Sequence, residues 1–172
     1  MLYLAKSDHG QIVSRAEQID LASEVRKLFD FYDALVEDRA VRLSCSGAAS
    51  LNGDRLMIRR ALSNLLSNAI AHTPAGGHIE VLLQADESGA ATIRVRNEGE
   101  TIPAGHLPRL FDRFYRVDPA RERTTGGAGL GLAITKSIVT AHGGTISASS
   151  ADGVTVFEIA LPPAPRETDH AH

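Results

Sequence analysis

The hydrophobic period of this chain switches between helical and alternating spacing, and the order of those switches limits what it can fold into. Leu21, Val25, Leu28, Phe29, Tyr32 and Leu35 recur at helical spacing, with Asp20 placed to cap the helix. Val41-Arg42-Leu43-Ser44-Cys45 alternates as a strand does. Gly53-Asp54 open a second helix, roughly Arg55 to His72, whose apolar positions are Leu56, Ile58, Leu62, Leu65, Leu66, Ala69 and Ile70. Pro74 and Gly76-Gly77 end it. Two alternating stretches, His78–Gln84 and Ala91–Asn97, flank the polar turn Asp86-Glu87-Ser88-Gly89 and predict a hairpin. A third helix is predicted from about Leu130 to His142, stopped by Gly143-Gly144, and Thr145–Ser149 with Val154–Leu161 predict a closing hairpin. At the start, residues 1–18 read as a helix tail, a break at Gly10 and a strand at Gln11–Arg15. The Pro-rich polar end, Pro162–His172, reads as a disordered tail.

Composition narrows the function classes. The 172 residues suit one domain with a real core, and 43% hydrophobic with 23% charged residues excludes wholesale disorder. No apolar run approaches the roughly 18 residues a membrane span needs, and no basic-then-apolar leader precedes the domain. A net charge of −3 argues against a general nucleic-acid surface. Cys45 is the only cysteine, so no internal disulfide forms and a reducing compartment fits best. In its strand it reads as a core residue.

Residues 98–128 lose regular periodicity and carry Arg109, Arg113, Arg116, Arg121 and Arg123 among several Gly and Pro. A loop this long in a compact domain is uncommon, and where it occurs it is usually functional, often a lid. Around it stand four constellations. Asn64-Leu65-Leu66-Ser67-Asn68-Ala69 puts two amides one helical turn apart on one face, with His72 a turn further on. Two amide oxygens suit a hard cation that keeps waters and takes phosphate oxygens, as magnesium does; the same spacing suits a solvated polar face. Gly126-Gly127-Ala128-Gly129-Leu130-Gly131-Leu132 runs straight into the third helix. It is either a flexible hinge or a place where backbone N–H groups meet an anion at a helix N-terminus. Asn97-Glu98-Gly99 ends a strand, as an ordinary turn or as a polar group beside which a base can pass close to the backbone. Leu110-Phe111-Asp112-Arg113-Phe114-Tyr115-Arg116 concentrates aromatics in a chain with only five Phe, three Tyr and no Trp. Phe111 and Phe114 suit lid anchors and Arg113 or Arg116 a phosphate, or the run is a short amphipathic helix pinned to the core.

In this order and spacing, the four constellations resemble the catalytic ATP-binding domain of two-component sensor histidine kinases, members of the GHKL ATPases. Asn64–Asn68 resembles the N box, Asn97-Glu98-Gly99 the first glycine box, Phe111–Arg116 the F box and Gly127–Leu132 the second glycine box. The runs at residues 29–39, 59–68 and 106–118 are similar to the heavy-metal sensor kinases of the CusS and CopS type. The resemblance implies an α/β fold, a two-layer α/β sandwich (Bergerat fold) with a mixed sheet of about five strands under three helices and a long ATP lid over residues 98–128. It implies ATP and Mg2+ as ligands. Asn68, with Asn64, would hold the magnesium, Asn97 would meet the adenine amino group, and Gly99 would let the ring approach. Arg116 would contact the γ-phosphate, Gly127, Gly129 and Gly131 would let the lid close, and His72 would flank the nucleotide. The same resemblance puts Ile102, Phe111, Arg113, Phe114, Tyr115, Leu130, Leu132 and Thr155 at the nucleotide site.

The resemblance also implies a protein histidine kinase whose phosphoacceptor histidine sits on a dimerisation helix absent from this sequence. Residues 1–9 are then the remnant of that helix, residues 10–162 the catalytic domain and residues 163–172 a tail. The partners implied are that helix, a response regulator and, for the complete kinase, a second copy; the chain alone is expected to be a monomer and binds no nucleic acid. The expected setting is the cytoplasmic side of a bacterial inner membrane. Three departures stand out: Asn97 where most relatives have Asp, Thr101 in place of the second glycine of its box, and Ala71 where many have a cation. They leave open a nucleotide-binding module without transfer, and the anti-sigma-factor-type serine kinases of the same superfamily are a third reading. Asn64 stands where the hydrolysing branch has a glutamate base; an amide is a very poor base, which points to transfer over hydrolysis.

Overall fold

The computed structural model describes residues 16–115 and 131–163. In chain order the elements are β1 (Glu17–Asp20), α1 (Leu21–Asp38), β2 (Arg42–Gly47), β3 (Ser50–Gly53), α2 (Arg55–His72), β4 (His78–Ala85), β5 (Ala91–Glu98), a short 3-10 turn (Leu107–Arg109), α3 (Gly131–Ala141), β6 (Thr145–Ala151) and β7 (Val154–Leu161). Five strands form one mixed sheet in the order β2-β4-β5-β7-β6, with β2 parallel to β4 and the other pairs antiparallel. Alternation decides its faces. Ile79, Val81, Leu83, Ala91, Ile93, Val95, Phe157, Ile159 and Leu161 turn inward and are buried with the apolar stripes of the three helices. The expected two-layer α/β sandwich, a five-stranded mixed sheet with three helices, is what the chain builds.

Local chemistry sets the helix limits. Asp20 caps α1 by accepting from the Ser23 N–H. Asp54 caps α2 by accepting from the Leu56 and Met57 N–H groups. The Asp54 N–H itself donates to His142 Nε2 at 3.1 Å, while the other ring nitrogen of His142 lies 2.8 Å from the Ile138 carbonyl; Nδ1 therefore carries the proton. That imidazole ties the end of α3 to the start of α2. Asp152 and Gly153, both at positive φ, make the two-residue turn between β6 and β7. In the β4–β5 turn, the Asp86 carboxylate takes hydrogen bonds from the Ser88 hydroxyl, then from backbone N–H groups, and sits below its usual range. The support this gives the turn is present at neutral pH and is lost as acid protonates the group.

Several expectations change. A second, two-stranded antiparallel sheet pairs β1 with β3, opposing Ile19 to Leu51. The predicted strand at Gln11–Arg15 lies outside the described residues, as do residues 1–9 and nearly all of the predicted tail. Leu35 and Leu56, read as core positions, are exposed, and Val36 and Met57 beside them are buried instead. Cys45 is only half-buried, because β2 is an edge strand. Burial pushes its thiol above the usual range, partly offset by Arg26.

Candidate active site

α2 carries the first part of the site. Asn64 and Asn68, one turn apart and both half-buried, share a face. Asn64 Nδ2 donates to the Gly131 carbonyl at 3.2 Å, and the Thr135 hydroxyl donates to the same carbonyl at 2.8 Å. The middle of α2 is thus fastened to the first turn of α3, where the glycine-rich run ends. With Nδ2 engaged, Asn64 Oδ1 remains an acceptor. The Asn68 amide has no hydrogen-bond partner among the described residues.

The far end of α2 meets the strand-end constellation. A Cβ on Gly99 would lie 2.5 Å from the His72 carbonyl oxygen, a contact no side chain tolerates against backbone. The glycine is therefore required by the packing of the protein itself, whatever else approaches it. Gly99→Ala is expected to cost about 1–3 kcal/mol by forcing β5 and α2 apart. Gly105→Ala is the matched control, since a Cβ there meets nothing within 4 Å; it is expected to be neutral or slightly stabilising. Chemical denaturation of the two variants checks the difference.

Asn97, near the end of β5, is 4% exposed, and its Nδ2 donates to the Glu98 carbonyl at 3.3 Å. Its register partner on β7 is Thr155, also buried. Thr155 Oγ1 and Ser150 Oγ are hydrogen-bonded at 2.8 Å, and Ser150 Oγ accepts from the Ile102 N–H at 2.8 Å. Thr101 Oγ1 accepts from the Gly153 N–H at 2.8 Å, while the Gly99 N–H donates to the Gly153 carbonyl at 2.9 Å. The segment leaving β5 is thereby clamped to the β6–β7 hairpin. Thr101, which departs from the glycine of its box, has this structural task. Ser150 escaped the sequence reading; it is one of three serines in Thr145–Ala151, and nothing local marks it as a hub.

In the aromatic run, Phe111 packs edge-on to Phe157, with ring centroids 6.1 Å apart, and Leu110 is buried beside it. Phe114 does not join it as an anchor. Its φ of +63° turns the ring outward, and the residue is 70% exposed. Tyr115 is held by a hydrogen bond between its hydroxyl and His106 Nδ1, with the Arg109 guanidinium 4.6 Å from its ring centroid. Arg113 and His72 are exposed; Ile102 and Leu132 are half-buried against the core. Arg116, Gly127, Gly129 and Leu130 lie outside the described residues.

The donor chemistry bears on a metal. No group of three or more His, Cys, Asp or Glu able to hold an ion occurs among the described residues. Asn64 and Asn68 offer two neutral amide oxygens at most. That cannot cage a divalent cation, but it fits magnesium, which keeps several waters and takes phosphate oxygens.

Comparisons with known proteins show the family and the fold. Residues 53–165 match the family described as histidine kinase-, DNA gyrase B-, and HSP90-like ATPase. The chain is 52% identical over 163 residues to the sensor histidine kinase CusS of Escherichia coli K12, covering 94% of this chain and 34% of that protein. It is 49% identical over 130 residues to the sensor protein CopS of Pseudomonas syringae pv. tomato, covering 75% of this chain and 26% of that protein. It therefore spans about a third or less of these relatives. Among solved structures, the mycobacterial sensor histidine kinase MprB superposes with a TM-score of 0.74 at 29% identity, over 86% of this chain and 97% of that one.

Proposed function

Because the chain belongs to the family of histidine kinase-, DNA gyrase B-, and HSP90-like ATPases, we propose that it binds ATP with magnesium and donates the γ-phosphate to a histidine on a dimerisation helix. The whole protein is then a metal-responsive two-component sensor histidine kinase. One observation carries the reading. Three of the four constellations, separated in sequence, are brought together along α2: Asn64 bonds to Gly131, the His72 carbonyl abuts Gly99, and Asn97, two residues before Gly99, pairs with Thr155. The metal-responsive part rests on the resemblance of residues 29–39, 59–68 and 106–118 to the heavy-metal sensor kinases.

In this reading Asn97 Oδ1 accepts from the adenine amino group at the floor of the site. Thr155, Ile102 and Leu132 line the base, and His72 flanks it from the end of α2. Asn68 and Asn64 Oδ1 hold magnesium, which supplies charge neutralisation at the phosphates. Arg113 and Arg116 reach phosphate oxygens, and Gly127, Gly129, Leu130 and Gly131 close the lid. Phe111 holds the aromatic run to the core beside the lid, Tyr115 ties it to His106 and Arg109, and Phe114 lies at its margin. Asn64, where the hydrolysing branch has a glutamate, is an amide too weak as a base to activate water, so the phosphoryl group is kept for a nucleophile. That nucleophile, the second copy that brings it, the response regulator that receives the phosphate and a place on the cytoplasmic side of a bacterial inner membrane belong to the whole protein.

Calorimetric titration with ATP and ADP, with and without magnesium, is the test, followed by labelled transfer to a separately supplied phosphoacceptor domain. Magnesium-dependent ATP binding and label on histidine are expected. Absence of binding by both nucleotides in magnesium overturns the reading, and binding without transfer reduces it to a sensing module.

A further inference from the structure

The proposed contact with the base has a chemical consequence. The buried groups where β5 meets β7 are an amide, Asn97, and a hydroxyl, Thr155. Neither has a fixed hydrogen-bonding sense. An amide presents an acceptor and a donor side by side, and half a turn about its last torsion exchanges them. The Thr155–Ser150 hydrogen bond can run in either direction, so the Thr155 hydroxyl can face the site as donor or as acceptor. Glu98, the nearest carboxylate in sequence, is exposed on the opposite face of the sheet. No buried carboxylate is found among the described residues except Glu24 on α1, which is held by Arg55 and Arg59.

Adenine and the 6-oxo purines differ in the sense that matters here. Adenine offers an amino donor at position 6 and an acceptor at N1. Hypoxanthine and guanine offer an oxygen at position 6 and an N–H at N1, the same edge with donor and acceptor exchanged. A carboxylate at this position only accepts, so it matches adenine and repels the 6-oxygen. An amide matches either edge. In the orientation observed, Nδ2 donates to the Glu98 carbonyl at 3.3 Å, leaving Oδ1 for an amino group. Reversal gives up that one long hydrogen bond and turns Oδ1 toward the Glu98 carbonyl oxygen, a contact the side chain relieves by swinging away; both effects favour adenine without excluding the alternative.

Resting on the reading of Asn97 as the base contact, we infer that this site accepts 6-oxo purine triphosphates, ITP and GTP, as well as ATP, and that Asn97 sets this tolerance. The preference for ATP over ITP is about tenfold, the scale of one ordinary hydrogen bond. Asn97→Asp widens it to on the order of a hundredfold or more, because the 6-oxygen then faces an acceptor.

The test is a magnesium titration of ATP, ITP and GTP into the full chain and into Asn97→Asp, with thermal unfolding of both to confirm that the variant is folded. A small ATP-to-ITP ratio in the wild type that grows in the variant is the expected result. ITP carries no 2-amino group, so it isolates position 6; GTP shows whether the pocket also admits that group. An ATP-to-ITP ratio already above about a hundredfold in the wild type overturns the inference, and that measurement stands even where the variant is unstable. So does a ratio equal in the two proteins. Failure of every purine nucleotide to bind overturns the underlying nucleotide reading as well, which separates the two.

Discussion

Asn68→Ala is expected to lower magnesium-dependent ATP affinity and phosphoryl transfer by about a hundredfold or more while leaving the fold as stable as before. Loss of a residue that merely orients a metal ligand costs roughly 10–100-fold, and an oxygen on the ion itself is worth at least the upper end. Phosphoryl transfer depends almost wholly on positioning and charge neutralisation, so the loss carries into rate. Stability behaves differently because the Asn68 amide has no hydrogen-bond partner among the described residues. Alanine is the better helix former by up to about 0.7 kcal/mol, so the melting temperature holds or rises slightly. Asn64→Ala is the informative contrast. It removes the Nδ2 bond to the Gly131 carbonyl and is expected to lower both stability and binding. Calorimetry with thermal unfolding on the two variants separates the roles. Equal ATP affinity in Asn68→Ala and wild type, with and without magnesium, sinks the assignment of Asn68 to the ion.

Some of this was legible in the sequence. α2 runs over the predicted residues because its signals are local: Asp54 caps it, an apolar stripe fills it and Pro74 follows it. The two hairpins are legible for the same reason, alternation bounded by turn residues. The β1–β3 pair was not legible. Each strand has four residues and one inward apolar side chain facing the other, Ile19 and Leu51, and no periodicity can be read from one position. Leu35 and Leu56 mislead because a helix stripe read by composition favours leucine, while geometry buries the neighbouring Val36 and Met57. In the site, the spacing of Asn64 and Asn68 is a helical fact and survives. Gly99 shows the limit. The sequence suggests room for a ligand, but the contact that forbids a side chain comes from the His72 carbonyl of another element. The Thr101 clamp and the Ser150 hub are also tertiary, joining residues about 50 apart.

The buried charge at Glu24 is the clearest case of information absent from local sequence, and it yields the largest expected loss of stability. Glu24 sits on the inner face of α1 at 1% side-chain exposure, a position the helical period assigns to an apolar residue. Its carboxylate receives Arg59 Nε at 2.9 Å and Arg55 Nη1 at 3.3 Å from α2, with Lys27 at 3.7 Å. Arg55 also bonds Glu17 and the Gln18 carbonyl, drawing β1 into the same cluster. The helix that carries Asn64 and Asn68 is thus oriented against α1 and β1 by charge as well as by packing. The partners are unequal: the arginines are 35% and 38% exposed. Removing Glu24 lets them turn to water, and a leucine fills the apolar position, so Glu24→Leu is expected to cost less than about 1 kcal/mol. Replacing both arginines by methionine keeps their stems but strands the carboxylate in the core. The cost is expected to be about 3 kcal/mol, the low end of the range for an uncompensated buried charge because Lys27 remains within reach. Adding Glu24→Leu to the double methionine variant should then restore most of that loss, since the stranded charge is gone. Denaturant unfolding of the three variants reads the asymmetry directly. If the leucine variant loses as much as the double methionine variant, the cluster acts through favourable pairing, and the penalty of a buried carboxylate is not what holds α2 in place.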